Sequence, residues 1–260
     1  MPKPIATSRL PPARKTYMVG MDGSELSFKA LRLAAALCDD MKDNVVVVHV
    51  SENADAKQLQ SKCQDTLLSA GIQTRRQAFE VVERASDWGI ADLLIYLANH
   101  IAKGTGVLVI GAAGKHGEET GLKSGPSGQP PMGSVAIKCQ ETCKVPVVIV
   151  KSTQSPITQP GVRRGQRPSR SGNPNGLKYA VCVDSTNLSR MAFDLSILMA
   201  KRQDSIHLLH IENTDKAVGQ HSEMNEADLV RRMYDAECQK IVDVGSVKEA
   251  AVTVIHKTKS

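Results

Sequence analysis

Apolar runs alternate along the first half of this chain with stretches in which apolar residues return every third or fourth position. The runs predict strands at 17–22, 45–50, 73–82, 106–111 and 146–151. The helical periodicity falls between them, at about 25–40, 55–70, 88–103 and 134–144. Val45-Val46-Val47-Val48-His49-Val50 is β-branched and apolar almost throughout, as a central strand requires. Leu26, Ala30, Leu33, Ala34 and Leu37 form one face of the first helix, with Ser24 as its N-cap and Glu25 in its first turn. Gly71 stands where the second helix must stop. Strands and helices alternating at these lengths imply right-handed parallel crossovers, and so an α/β fold with a doubly wound, parallel, five-stranded sheet. Such sheets place ligands at the carboxyl ends of their strands.

The alternation fails over 153–176, where Pro156, Pro160, Pro168 and Pro174 lie among Gly, Ser and Arg. Beyond that stretch the opening of the first unit returns. Tyr17-Met-Val-Gly-Met-Asp22 matches Tyr179-Ala-Val-Cys-Val-Asp184, and Leu26-Ser27 matches Leu188-Ser189. Val48-His49-Val50 returns as Leu209-His210-Ile211, and Glu52-Asn53 as Glu212-Asn213. A repeat that keeps polar punctuation as well as apolar spacing points to a duplicated unit. A helical stretch from about Met224 to Val242 and a last strand near 251–256 follow. The expected organisation is a complete domain at 16–152, a basic linker at 153–176 and an incomplete second copy at 177–260.

Composition changes this picture in two respects. Aromatic residues make up only 3%, so the core must be built from Val, Ile, Leu and Ala. The net charge of +6 suggests nucleic acid until it is located. Residues 1–15 carry Lys3, Arg9, Arg14 and Lys15 without an acid, and 153–177 carry Arg163, Arg164, Arg167 and Arg170 without an acid. These two segments hold more than the whole excess, so the folded parts are near neutral and nucleic acid is expected only through the basic linker. No apolar run reaches the length of a membrane span, and the proline-rich basic start lacks the apolar stretch of a secretory signal. Cys38, Cys63, Cys139, Cys143, Cys182 and Cys238 form no C-x-x-C and read as reduced thiols. A cytoplasmic location is the expectation.

The candidate chemistry sits at strand ends. Asp22 closes the first strand, Gly111-Ala112-Ala113-Gly114 closes the fourth, and Gly133-Ser134 opens the helix that follows. Glycines let backbone N–H groups approach an anion closely, and a helix start adds its positive end and a hydroxyl. The competing reading makes each glycine an ordinary turn residue and Asp22 a helix cap. Gly117, Gly121, Lys123 and Ser124 imitate a P-loop, but Leu122 separates the glycine from the lysine and no strand precedes Gly117. His49 and His210 read as hydrogen-bonded structural groups, and Asp184 as a cap. No nucleophile–base pair or carboxylate pair is discernible, so no catalytic residue is assigned.

The order strand-one Asp, second-strand His-Val, then G-x-x-G and G-S at the fourth strand resembles the universal stress protein family. In its ATP-binding members the pattern is G-x2-G-x9-G-(S/T). The resemblance covers 16–151 fully and 178–257 in part. It implies a Rossmann-like sheet of the adenine-nucleotide-binding type and ATP, with or without Mg2+, as cofactor. Asp22 would stand at the adenosine, Val50 where backbone groups meet adenine, Gly111 and Gly114 at the first glycine pair, and Gly133, Ser134 and Val135 at the phosphates. It further implies a homodimer through strand 146–151. Here 18 residues rather than nine separate Gly114 from Gly133. Closure entropy grows only logarithmically with loop length, by about 0.6 kcal/mol per doubling, so strand end and helix start can stay in register. The function expected is an ATP-binding stress-response or regulatory protein with weak or no hydrolysis. The alternatives are a dimeric interaction module without nucleotide and an adenylate-handling enzyme.

Overall fold

A computed structural model of the chain describes residues 10–51, 56–84, 87–101, 106–114, 132–151, 177–213 and 226–257. They belong to two compact units, Met1–Gly172 and Asn173–Ser260. Among the described residues no helix is long and apolar enough to cross a membrane.

The first unit runs β1 (Thr16–Gly20), α1 (Glu25–Leu37), β2 (Asn44–Ser51), α2 (Lys57–Ser69), a 3-10 turn (Thr74–Arg76), β3 (Gln77–Glu83), α3 (Ile90–Ile101), β4 (Gly106–Gly111), α4 (Ser134–Thr142) and β5 (Val147–Val150). Its five strands are parallel, in the order β3-β2-β1-β4-β5. This is the doubly wound α/β sheet expected. Side chains alternate across the strands. Met18, Val46, Val48 and Leu108 pack with Leu94, Leu97 and Ala98 of α3 and Ala136 and Cys139 of α4. On the opposite face the buried Tyr17 sends its hydroxyl to the carbonyl of Leu37 in α1, at 3.3 Å.

Several boundaries differ from the sequence expectation, and two of the differences have a clear physical cause. The third strand begins at Gln77 rather than 73, because Arg76 N–H turns back to the carbonyl of Gln73. The Arg76 guanidinium then reaches the Asn44 side-chain carbonyl at 3.1 Å. The last strand begins after Pro146, whose carbonyl accepts from Leu108 N–H but which has no N–H to give.

In the second unit β6 (Lys178–Cys182), α5 (Asn187–Met199), β7 (Ser205–Asn213), α6 (Glu226–Asp243) and β8 (Glu249–Lys257) form a parallel sheet ordered β6-β7-β8. Phe193 of α5 meets Tyr234 of α6 edge to face at 5.3 Å, over Val181, Ile206 and Leu208.

The hydrogen bonds that shape the first βαβ segment recur here. Asp43 receives the N–H groups of Lys15 and Asp39, and Asp204 those of Leu177 and Lys201. Tyr179 Oη reaches the carbonyl of Met199 as Tyr17 reaches Leu37. Ser24 caps α1 through Ser27 N–H, and Thr186 caps α5 through Ser189 N–H. His49 Nδ1 lies 2.8 Å from the carbonyl of Met21, and His210 Nδ1 lies 3.0 Å from that of Val183.

Asp184 receives the hydroxyls of Ser189 and Thr186 and the N–H of Thr186, which hold its carboxyl at about 2 against an ordinary 3.8. A folded-state value below the unfolded one stabilises above the unfolded value and is lost as the pH falls. The loss therefore falls between about pH 4 and pH 2. Thermal melts across that window should show a smaller acid-side loss for Asp184→Asn than for the unaltered chain. Equal slopes would exclude the carboxylate as a source of acid sensitivity.

Candidate functional site

The carboxyl ends of β1, β2 and β4 meet the start of α4, and each group there is held by a nameable contact. β1 ends at Gly20, and Met21 N–H continues onto the carbonyl of Val48 at 2.9 Å. The Met21 carbonyl faces His49 Nδ1. A carbonyl can only accept, so the imidazole carries a proton on Nδ1. Gly23 then takes φ +83°, a left-handed conformation open to glycine at little cost. That turn lets Asp22 Oδ1 accept the N–H of Ser24 at 3.0 Å, just ahead of the Ser24 cap on α1. Asp22 is thus part of the helix entry and also faces the glycine loop with its other oxygen.

Gly114 brings the loop to that second oxygen: a Cβ on Gly114 would lie 2.8 Å from Asp22 Oδ2. Gly111 is confined differently, because a Cβ there would meet Leu26 Cβ at 2.9 Å and the Leu26 carbonyl carbon at 3.2 Å. Close seating of α1 on the end of β4 is enough to require this glycine, whatever binds nearby. Gly133 N–H donates to the carbonyl of Ala112 at 2.7 Å, so the strand end and the helix start are in register across the enlarged connection.

Gly133 is the N-cap residue of α4, and among the described residues no side-chain hydrogen bond caps that helix. Its carbonyl accepts the first helical bond, from Ile137 N–H at 3.1 Å. The N–H groups of Ser134, Val135 and Ala136 precede that bond and form the positive end of the helix. α1 and α5 fill the same position with Ser24 and Thr186.

The structure therefore brings together Asp22, Gly114, Gly133 and an exposed Ser134. Val135 is half-buried and packs against the core beneath α4. Val50 packs into the same core and stands two residues beyond Val48, which pairs with Gly20. Lys115, Lys123, Glu118 and Glu119, with the P-loop imitation, lie outside the described residues.

Three features escaped the sequence reading. The turn at Gly23 was signalled by the Asp22-Gly23-Ser24 run between strand and helix. The partner of His49 had no sequence signal. Nor did the ion pair that holds α4 against α3, in which Lys138 Nζ lies 2.8 Å from Asp92 Oδ1. The hydrogen bond from Lys138 keeps the Asp92 carboxyl below its usual range. Beneath α4, burial pushes the Cys139 thiol up to about 11, which removes it as a nucleophile near neutral pH.

The start of α4, with glycine at its cap position, suits a ligand carrying an anionic group, while Gly114 lets the loop lie close against the Asp22 carboxylate. The described residues contain no cluster of three His, Cys, Asp or Glu able to hold a metal ion, so they do not build a cation site of their own.

Several solved structures are similar to this chain. A universal stress protein crystallised in complex with cAMP is 22% identical, with a TM-score of 0.39, over 53% of this chain and 97% of its own. One from Burkholderia pseudomallei is 19% identical, with a TM-score of 0.38, over 54% and 97%. One from Archaeoglobus fulgidus DSM 4304 is 14% identical, with a TM-score of 0.53, over 94% and 77%, so the likeness in fold extends beyond the first unit. No curated protein matches the sequence. The profile of the universal stress protein family matches residues 13–151, just over half of the chain. On that match and this sheet, the chain belongs to the universal stress protein family.

Proposed function

We propose that the first unit binds ATP at the carboxyl ends of β1, β2 and β4, and that the chain serves in stress response as a nucleotide-dependent regulator. The observation that carries this reading is the start of α4, with glycine at its cap position and tied by Gly133 N–H to the β4 loop whose Gly114 lies against Asp22. An open helix start beside glycine backbone stabilises phosphate through directed N–H groups and the helix dipole. In this assignment the N–H groups of Ser134, Val135 and Ala136 and the Ser134 hydroxyl donate to phosphate oxygens. Gly111 and Gly114 permit close approach, the Asp22 carboxylate accepts from the adenosine, and the main chain at Val50 borders the adenine. The complex with cAMP among the similar structures supports an adenine nucleotide.

The assignment is one of binding. It names no general base, and any Mg2+ would arrive with the phosphates rather than in a preformed protein site. The second unit repeats the Asp184 turn, but among the described residues it has no counterpart of the Gly111 to Ser134 loop. Its three strands repeat β1 to β3 of the first unit, to which the nucleotide is assigned. The six unpaired cysteines favour a reducing compartment, and so the cytoplasm.

β5 forms one edge of the first sheet, paired on one side with β4. Its four residues, Val147 to Val150, are apolar and half-buried. An unpaired apolar edge is a template for a second strand, and we assign a homodimer to it.

Two experiments test these assignments. Calorimetric titration of the full chain with ATP should show binding that Gly114→Val weakens at least tenfold, with the far-ultraviolet circular dichroism unchanged. The branched side chain would press on Asp22 Oδ2, which a Cβ at this position meets at 2.8 Å, and push the loop off the aspartate. No affinity in the unaltered chain, or full affinity in the variant, would sink the nucleotide site. For assembly, Val148→Lys should lower the particle mass measured by light scattering, and an unchanged mass would exclude β5 as an interface.

A further inference from the structure

The amino end of the first sheet buries more positive charge than negative. Among the described residues of that unit the buried charged side chains are Lys15, Asp43 and Arg76. They stand immediately before β1, β2 and β3, three parallel neighbours, so all three lie at one end of the sheet. Asp43 is committed to Lys15. Its Oδ2 lies 3.6 Å from Lys15 Nζ, and the N–H groups of Lys15 and Asp39 donate to its two oxygens at 3.1 and 3.0 Å. Arg76 is left with neutral acceptors. Both of its hydrogen bonds leave from Nη1, to the Asn44 side-chain carbonyl at 3.1 Å and to the Pro12 carbonyl at 3.4 Å. Among the described residues no carboxylate forms an ion pair with Arg76, and its buried Nε has no acceptor.

A guanidinium so placed has lost most of its hydration, which is costly unless a counter-charge replaces it. Arginine cannot relieve the cost by giving up its proton. Its Nη1 corner is occupied, while the Nε–Nη2 edge, the side-on fork that fits a carboxylate, carries no protein acceptor. The neighbouring chain segment is tied down around this edge. Asn44 Nδ2 donates to the Pro11 carbonyl at 2.8 Å, and Arg14 N–H donates to the Lys42 carbonyl at 2.8 Å. Between those two ties the bond from Arg76 to Pro12 is long for an N–H···O contact, and Pro12 is exposed.

We propose that Arg76 is the centre of a carboxylate-binding site at the amino end of the first sheet, where a small ligand carboxylate docks side-on against the Nε–Nη2 edge. Two carboxylate oxygens match that edge in spacing and direction, and the pair neutralises a buried charge. Because Nε is buried, entry needs the chain at Pro12 to shift, and the long Pro12 bond is the contact that yields. A planar carboxylate suits this place better than phosphate, since only 8% of Arg76 is exposed and a tetrahedral ion brings further oxygens. The site lies at the opposite end of the strands from Asp22 and stands whether or not nucleotide binds there.

The test uses the full chain at neutral pH, with acetate as the probe and chloride at matched ionic strength as the control. In nitrogen–proton correlation spectra the Arg76 Nε–H signal should move downfield and saturate as acetate is added, and stay in place in chloride. Thermal melts should have a higher midpoint in acetate than in chloride, because a ligand that binds only the folded chain stabilises it. Arg76→Lys keeps the charge but loses the fork, so its midpoints in the two salts should coincide. Phosphate at the same ionic strength should move the signal far less than acetate. The spectra read the unaltered chain, so they decide the matter even where Arg76→Lys fails to fold. An Nε–H signal indifferent to acetate, an equal response to phosphate, or an acetate-specific gain retained in Arg76→Lys would overturn the proposal.

Discussion

The central position of β1 is the constraint on which the first unit depends. It pairs with β2 on one side and β4 on the other, so its backbone polar groups are used within the sheet. Helices then cover both faces, and its middle residues Tyr17, Met18 and Val19 are wholly buried. A strand enclosed in this way has no place for charge along its length. Polar chemistry is displaced to its ends, where Asp43 gathers N–H groups at the amino end and Asp22 receives Ser24 N–H at the carboxyl end. The candidate site lies where it does because β1 cannot carry it anywhere else.

At that carboxyl end the chain leaves one helix start open while closing others. Ser24 and Thr186 spend their hydroxyls on the first turns of α1 and α5, whereas glycine occupies the same position on α4. Side-chain capping contributes on the order of 1 kcal/mol, so a helix without it is less stable by itself. α4 is held instead by contacts elsewhere along its length: Gly133 N–H on Ala112, Ala136 and Cys139 in the core, and Lys138 on Asp92. These contacts secure the helix without a side chain at its cap position.

The two units show what a shared local design does and does not carry. The Asp–Ser or Asp–Thr turn, the histidine on the strand-end carbonyl, the tyrosine on the helix terminus and the aspartate at the amino end occur in both. They fix the βαβ geometry and do not by themselves make a ligand site. Asp184 is engaged by two hydroxyls and a backbone N–H, and serves as a turn anchor. Asp22 has the same start but lies against a glycine loop, and that neighbour gives it a second oxygen with something to face.

The sequence by itself determined the order of strands and helices and the family, because strand and helix periodicities follow from backbone geometry and from burying one face. It also singled out Asp22, Gly114, Gly133 and Ser134, whose residue types are unusual for their positions. It misplaced the start of β3, since the turn at Arg76 is held by Asn44, more than thirty residues away in the chain. Only the tertiary structure decided that Gly111 is required by Leu26, that Val50 and Val135 turn their side chains into the core, and that α4 stays in register across the 18 intervening residues. Those outcomes depend on how closely segments remote in sequence approach one another, and no local pattern of residues encodes such a distance.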